Sequence, residues 1–130
     1  MGGPLTVERL LTTADVEDRA PDDGRVSVRA RHDAVLTDGR RLLLLDDRGW
    51  ASSATWTATS VAEVEETARM VVGPDEPAEG RTWKESQAGH WAYLARRLHG
   101  HGVRVDPGEL RRLPHDVVLG DRLRARIARG

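Results

Sequence analysis

Two histidines separated by one glycine, His99-Gly100-His101, with His90 upstream, are the residues whose type and spacing best suit metal binding or proton transfer. Imidazole is a common metal ligand, and flanking glycines let ring nitrogens converge. The set is incomplete. No carboxylate or third histidine stands at a ligand spacing, and a nine-residue step places His90 and His99 on opposite sides of a helix. A histidine at a helix C-terminus also has a simpler reason, because a partial positive charge suits the open carbonyls there. The expectation is no metal and no cofactor. A small enzyme or ligand-binding domain with a site formed by His90, His99 or His101 stands as an alternative.

The other chemical candidates have structural explanations. His32 shares parity with the apolar side of a period-two segment, where a buried or edge histidine hydrogen-bonded to backbone is expected, and Asp33 beside it must point to the opposite face. Asp46-Asp47 reads as turn chemistry. Ser52, Ser53 and Ser60 lack a G-x-S-x-G elbow, and the scattered glycines make no phosphate loop. No catalytic residue is assigned.

What remains is surface. Glu63, Glu65, Glu66, Asp75, Glu76 and Glu79 lie within one short stretch and could steer a basic partner. Four tryptophans stand in a chain without phenylalanine; of these, Trp50 and Trp83 open elements and are the expected exposed anchors. The leading expectation is a non-catalytic binding module acting through a protein partner, of the type of an immunity or antidote protein that neutralises a basic toxin. The alternative partner is nucleic acid. Arg111, Arg112, Arg122, Arg124, Arg126 and Arg129 decorate two short helices joined at Pro114, in the layout of a helix-turn-helix. A sequence pI near 6.5 is far from the usual basic footprint.

The elements that must position these residues are legible in the periodicity. Val26 to Leu36 alternates with period two, Asp38-Gly39 suits a type I′ hairpin turn, and Arg41 to Leu45 returns as a strand. The four leucines Leu42 to Leu45 predict burial on both faces, hence a central position. Asp46 to Gly49 predicts a second turn and Trp50 to Thr59 a third strand. Residues before Gly24 are ambiguous between a short helix and an edge strand, with Pro21 to Gly24 a turn. Ser60-x-x-Glu63 and Thr82-x-x-Glu85 are capping boxes opening helices over about 61–72 and 83–98. Ala88, Trp91, Ala95 and Leu98 mark the expected buried side of the second. Asp106-Pro107 opens a short helix, and Leu119, Leu123 and Ile127 predict a last one that starts at Asp116 or only at Asp121.

The expected fold is therefore α+β: a three-stranded antiparallel meander over about 25–58, covered on one face by two helices, with one or two short C-terminal helices. The 130 residues suit a single domain. The absence of cysteine excludes disulfides and thiolate chemistry. No apolar run is long enough for a membrane span, so no membrane contact and a cytoplasmic address are expected. Nineteen arginines against the single Lys84 point to a GC-rich bacterial host. Residues 1–90 hold 11 Lys/Arg and 17 Asp/Glu, while residues 91–130 hold 9 and 4, so the charge is unevenly spread.

Overall fold

The computed structural model describes residues 6–17, 26–52 and 60–129, without the side chains of Val26, Ser52 and Arg129. Among these residues the chain forms β1 (Val7–Val16), β2 (Val26–Leu36), β3 (Arg41–Ser52), α1 (Val61–Val71), α2 (Trp83–Gly100), α3 (Pro107–Arg112), β4 (His115–Leu119) and α4 (Asp121–Arg129). The class is α+β.

The strands form one sheet in the order β3-β2-β1-β4. The sheet is mixed. β1 and β2 are antiparallel, joined at their ends where Glu17 N donates to Ser27 O at 2.9 Å. β1 and β4 run parallel: Leu10 N donates to Pro114 O and Gly120 N to Ala14 O, each at 2.8 Å, with numbers rising together on both strands.

Several expectations need correction. The ambiguous N-terminal stretch is a strand, and an inner one. β3 ends the sheet among the described residues instead of lying at its centre, with Leu42 and Leu43 half-buried and Leu44 and Leu45 buried. No turn interrupts it at Asp46–Gly49. The strand stays paired along β2, its two aspartates exposed to water at little cost, and Gly49 fits because its backbone lies against the Val28 carbonyl, where any side chain would collide. The expected third strand beyond Ser52, with Trp56, and the expected turn at 21–24 lie outside the described residues. The hairpin turn is not type I′, which needs two positive φ angles; only Gly39 has one, at 88°. Leu36 O accepts from Gly39 N at 2.9 Å and Leu36 N donates to Arg40 O at 2.8 Å, the pattern of a three-residue loop closed by a glycine in the left-handed region. Finally, β4 occupies the join read as a turn between two helices, which removes the helix-turn-helix layout.

The contacts separate into two compact units, and β1, β2 and β3 each give one end to each unit. The first comprises Met1–Leu11, Asp33–Leu44 and Gly73–Asp116. Its buried side chains include Leu10, Leu11, Leu36, Leu44, Leu94, Leu98, Val103 and Leu110, and α2 packs on α3. In β2, Ala34 and Leu36 are buried on one parity and Asp33 and Val35 on the other, so this end of the strand is covered on both faces, not on one as expected.

The second unit comprises Thr12–His32, Leu45–Val72 and Val117–Gly130. Here β2 does alternate, with Val28, Ala30 and His32 buried and Arg29 and Arg31 exposed. Ala14, Val28, Val64, Ala68, Leu119 and Leu123 form one cluster, so α1, α4 and the strands share a core. Fully burying each such leucine or valine stabilises by roughly 1.5–3 kcal/mol. α4 starts at Asp121, and its first turn is capped from a distance: Asp15 Oδ1 on β1 accepts the Leu123 amide at 3.0 Å. Gly120 leaves room for that carboxylate.

Candidate interaction surface

In the first unit, α2 begins with a complete capping box. Glu85 N donates to Thr82 Oγ1 at 3.2 Å, and Thr82 N donates to Glu85 Oε1 at 3.4 Å. The loop before it is tied down where Ser86 Oγ donates to Asp75 O at 2.5 Å. These local bonds let the helix start well before it reaches any core. Its buried residues are Leu94, Ala95 and Leu98. From Trp83 to Gly89 every side chain is exposed or half-buried, Ala88 included, which corrects the expected buried side. Trp91 is half-buried.

Trp83 therefore stands 56% exposed on a capped, regular helix. Trp83, Ser86, His90, Tyr93 and Arg97 follow one another at alternating steps of three and four, so they line one strip beside the buried face. Tyr93 is 42% exposed, and the Arg97 guanidinium stacks over its ring at 5.9 Å. Arg97 Nη1 also donates to Tyr93 Oη at 3.4 Å. His90 meets Trp91 edge-on, ring centroids 5.2 Å apart. The two ends of the strip differ in charge. At the N-terminal end the loop carries the exposed acids Asp75, Glu76 and Glu79. At the C-terminal end lie exposed Arg96, Arg97 and Arg104, with Arg111 and Arg112 on the packed α3.

The remaining candidates are placed as follows. Glu63 and Glu66 are exposed on α1 and Glu65 is half-buried; these three belong to the second unit, while Asp75, Glu76 and Glu79 belong to the first. Ser60 Oγ accepts the Glu63 amide at 3.1 Å, as its capping motif predicts. Trp50, expected at the surface, is half-buried and packs on the second unit's core. It walls a groove of about 410 Å³ together with Glu17, Arg29, Asp47 and Arg48. Arg122, Arg124 and Arg126 are exposed on α4, which belongs to the second unit while α3 belongs to the first, and the Arg129 side chain lies outside the described residues. His99 and His101 are exposed, His101 as the C-cap of α2. Among the described residues, no three His, Asp or Glu side chains converge to hold a metal.

His32 is buried, as its parity predicts. Its Nδ1 shares a 2.9 Å hydrogen bond with Thr12 Oγ1, a side chain on the neighbouring strand where a backbone partner was expected. Asp38 accepts from Arg40 N at 3.0 Å and from Arg40 Nε at 2.7 Å. The Arg40 backbone N–H, and then its guanidinium, hold the carboxyl below its ordinary value. Both pairs serve the sheet and its turn.

Tyr93 and Arg97 were not singled out as contact residues from the sequence. The signal was there, in aromatic and arginine side chains at helical spacing from Trp83, but a stripe of that kind reads equally as core. No protein-family model, curated protein or solved structure matches this chain.

Proposed function

We propose that this chain is a non-catalytic binding module that acts through a protein partner, and that α2 presents the contact. The observation that carries the reading is Trp83, more than half exposed on a helix whose cap fixes it in place, in line with Tyr93 and Arg97. Tryptophan, tyrosine and arginine are the side chains that dominate interface energetics. A rigid helix presents them at little conformational cost on binding. The acids Asp75, Glu76 and Glu79 beside the anchor would steer a basic partner towards it, as an antidote to a basic toxin requires.

The test is photo-crosslinking from Gln87, which neighbours Trp83 on the helix, in the cells of origin. The reading expects one dominant protein adduct that disappears in Trp83→Ala. No protein adduct, or one indifferent to that substitution, overturns it. A second reading, nucleic-acid binding, draws on exposed Arg96, Arg97, Arg104, Arg111 and Arg112 in the same unit. It expects retention on duplex DNA that falls steeply with salt; no retention at low salt removes it.

A further inference from the structure

We infer that the partner met by the α2 strip is a second copy of this chain, docked antiparallel. This rests on the preceding reading only in that α2 is the contact surface; the partner it names is this chain itself, in place of a basic toxin. The strip is dipolar on balance: exposed Asp75, Glu76, Glu79 and Glu85 outnumber exposed Arg81 and Lys84 at one end, and exposed Arg96, Arg97, Arg104, Arg111 and Arg112 outnumber exposed Asp106 and Glu109 at the other. A dipolar strip is complementary to itself only when reversed. Two copies related by a twofold axis passing near His90 set Trp83 of each over the Tyr93–Arg97 end of the other. The same operation lays each acidic loop beside the other copy's Arg104. Every contact then occurs twice, as an isologous interface requires. Trp83 meets a guanidinium already placed over the Tyr93 ring, 5.9 Å from its centroid, which suits cation–π stacking. The pairing also answers why exposed aromatics and opposite charges share one helix: neither end alone explains the other.

The geometry limits the strength. A helix of this length spans about 27 Å, and a strip about 10 Å wide covers roughly 300 Å² per copy. Stable dimers bury about 800 Å² per partner. The association is therefore weak, and high salt weakens it further, since the charged ends are exposed.

Sedimentation velocity over a concentration series tests this, with two charge-reversed variants. One carries Glu76→Lys and Glu79→Lys, the other Arg97→Glu and Arg104→Glu. Each alone places like charges at both ends of the interface and should be monomeric. Mixed, they should form a heterodimer that neither variant forms alone, weaker than wild type because one of the two Trp83–Arg97 contacts is lost while both charged contacts are restored. Trp83→Ala should weaken the wild-type dimer at least about tenfold. All these sites are on the surface, and unchanged thermal melting is the control for folding. A wild type that stays monomeric up to about 1 mM overturns the inference. So does a dimer unaffected by Trp83→Ala, or a mixture that fails to associate. If the wild type is monomeric yet Gln87 still crosslinks a different protein in a Trp83-dependent way, self-association falls and the binding reading stands. Loss of both removes both.

Discussion

Replacing Gly120 by alanine should destabilise the fold far more than its place at a helix end suggests. A Cβ at this position would lie 2.7 Å from Asp15 Cβ and closer still to the Asp15 carboxylate. No carbon pair tolerates that distance; Asp15 must swing its carboxylate away, and because rotation leaves its Cβ in place the β1 backbone or the start of α4 must shift as well. It then releases the Leu123 amide it accepts at 3.0 Å, and α4 loses its cap. Loss of an N-cap costs about 1 kcal/mol, and crowding a packed site costs about 1–3 kcal/mol more. Leu123 is fully buried, so the displaced turn cannot move outward without exposing it. The expected loss is about 2–4 kcal/mol, a fall in Tm of roughly 8–15 °C for a chain this size. Asp15→Ala alone should cost about 1–2 kcal/mol for the cap. In the Asp15→Ala background the added cost of Gly120→Ala should shrink by at least about 1 kcal/mol, because the cap is already gone and the carboxylate no longer obstructs, leaving only the contact between the two Cβ atoms. Urea unfolding of the four proteins, with m-values compared, measures this cycle. A Gly120→Ala protein within about 0.5 kcal/mol of wild type, or strictly additive losses, would refute the reasoning.

Two further outcomes can be checked on purified protein. Thr12→Val keeps the side-chain volume but removes the buried hydroxyl 2.9 Å from His32 Nδ1, so it should cost about 1–3 kcal/mol, read as a lower urea midpoint at unchanged m; a variant as stable as wild type would show that the pair contributes nothing. Asp38 should titrate below its ordinary 3.8 in a carboxyl NMR titration, and Arg40→Ala should raise it only partly because the residue 40 backbone N–H remains. Since the folded value is depressed, the turn's contribution is complete above the ordinary carboxylate range and is lost as pH falls through the folded value; a wild-type midpoint at or above 3.8 contradicts this.

The helices were legible because their signals are local. Ser60, Thr82 and Asp106 cap where their spacing says they should, α1 begins and ends within a residue of the expected bounds, and α3 begins at Pro107 as expected. The strands were legible only where one face is wet. β1 buries Val7, Leu10, Leu11 and Ala14, a spacing of three, one and three that imitates a helix. It does so because Leu10, Leu11 and Thr12 are buried in succession, with cover on both faces, which erases the period of two. β4 was hidden by coincidence. Leu119 and Leu123 sit four apart and are both buried, but a strand ends at one and a helix carries the other. The break at Gly120, read now beside Asp15, was the missing cue. Asp46-Asp47-Arg48-Gly49 has turn composition, yet pairing with β2 outweighs it. For the surface, Trp83 was identified correctly as exposed. Trp50 was not, because its packing on the second unit's core cluster is a long-range fact that no local pattern encodes.

The central claim is that the α2 strip is solvent-facing in the isolated chain and covered when the protein is at work. Hydroxyl-radical footprinting of Trp83, with half-buried Trp91 as internal reference, addresses it directly. Dilute purified protein should show Trp83 oxidised faster than Trp91. In the cells of origin, Trp83 should be protected relative to Trp91. Equal Trp83 oxidation in both settings would contradict the account.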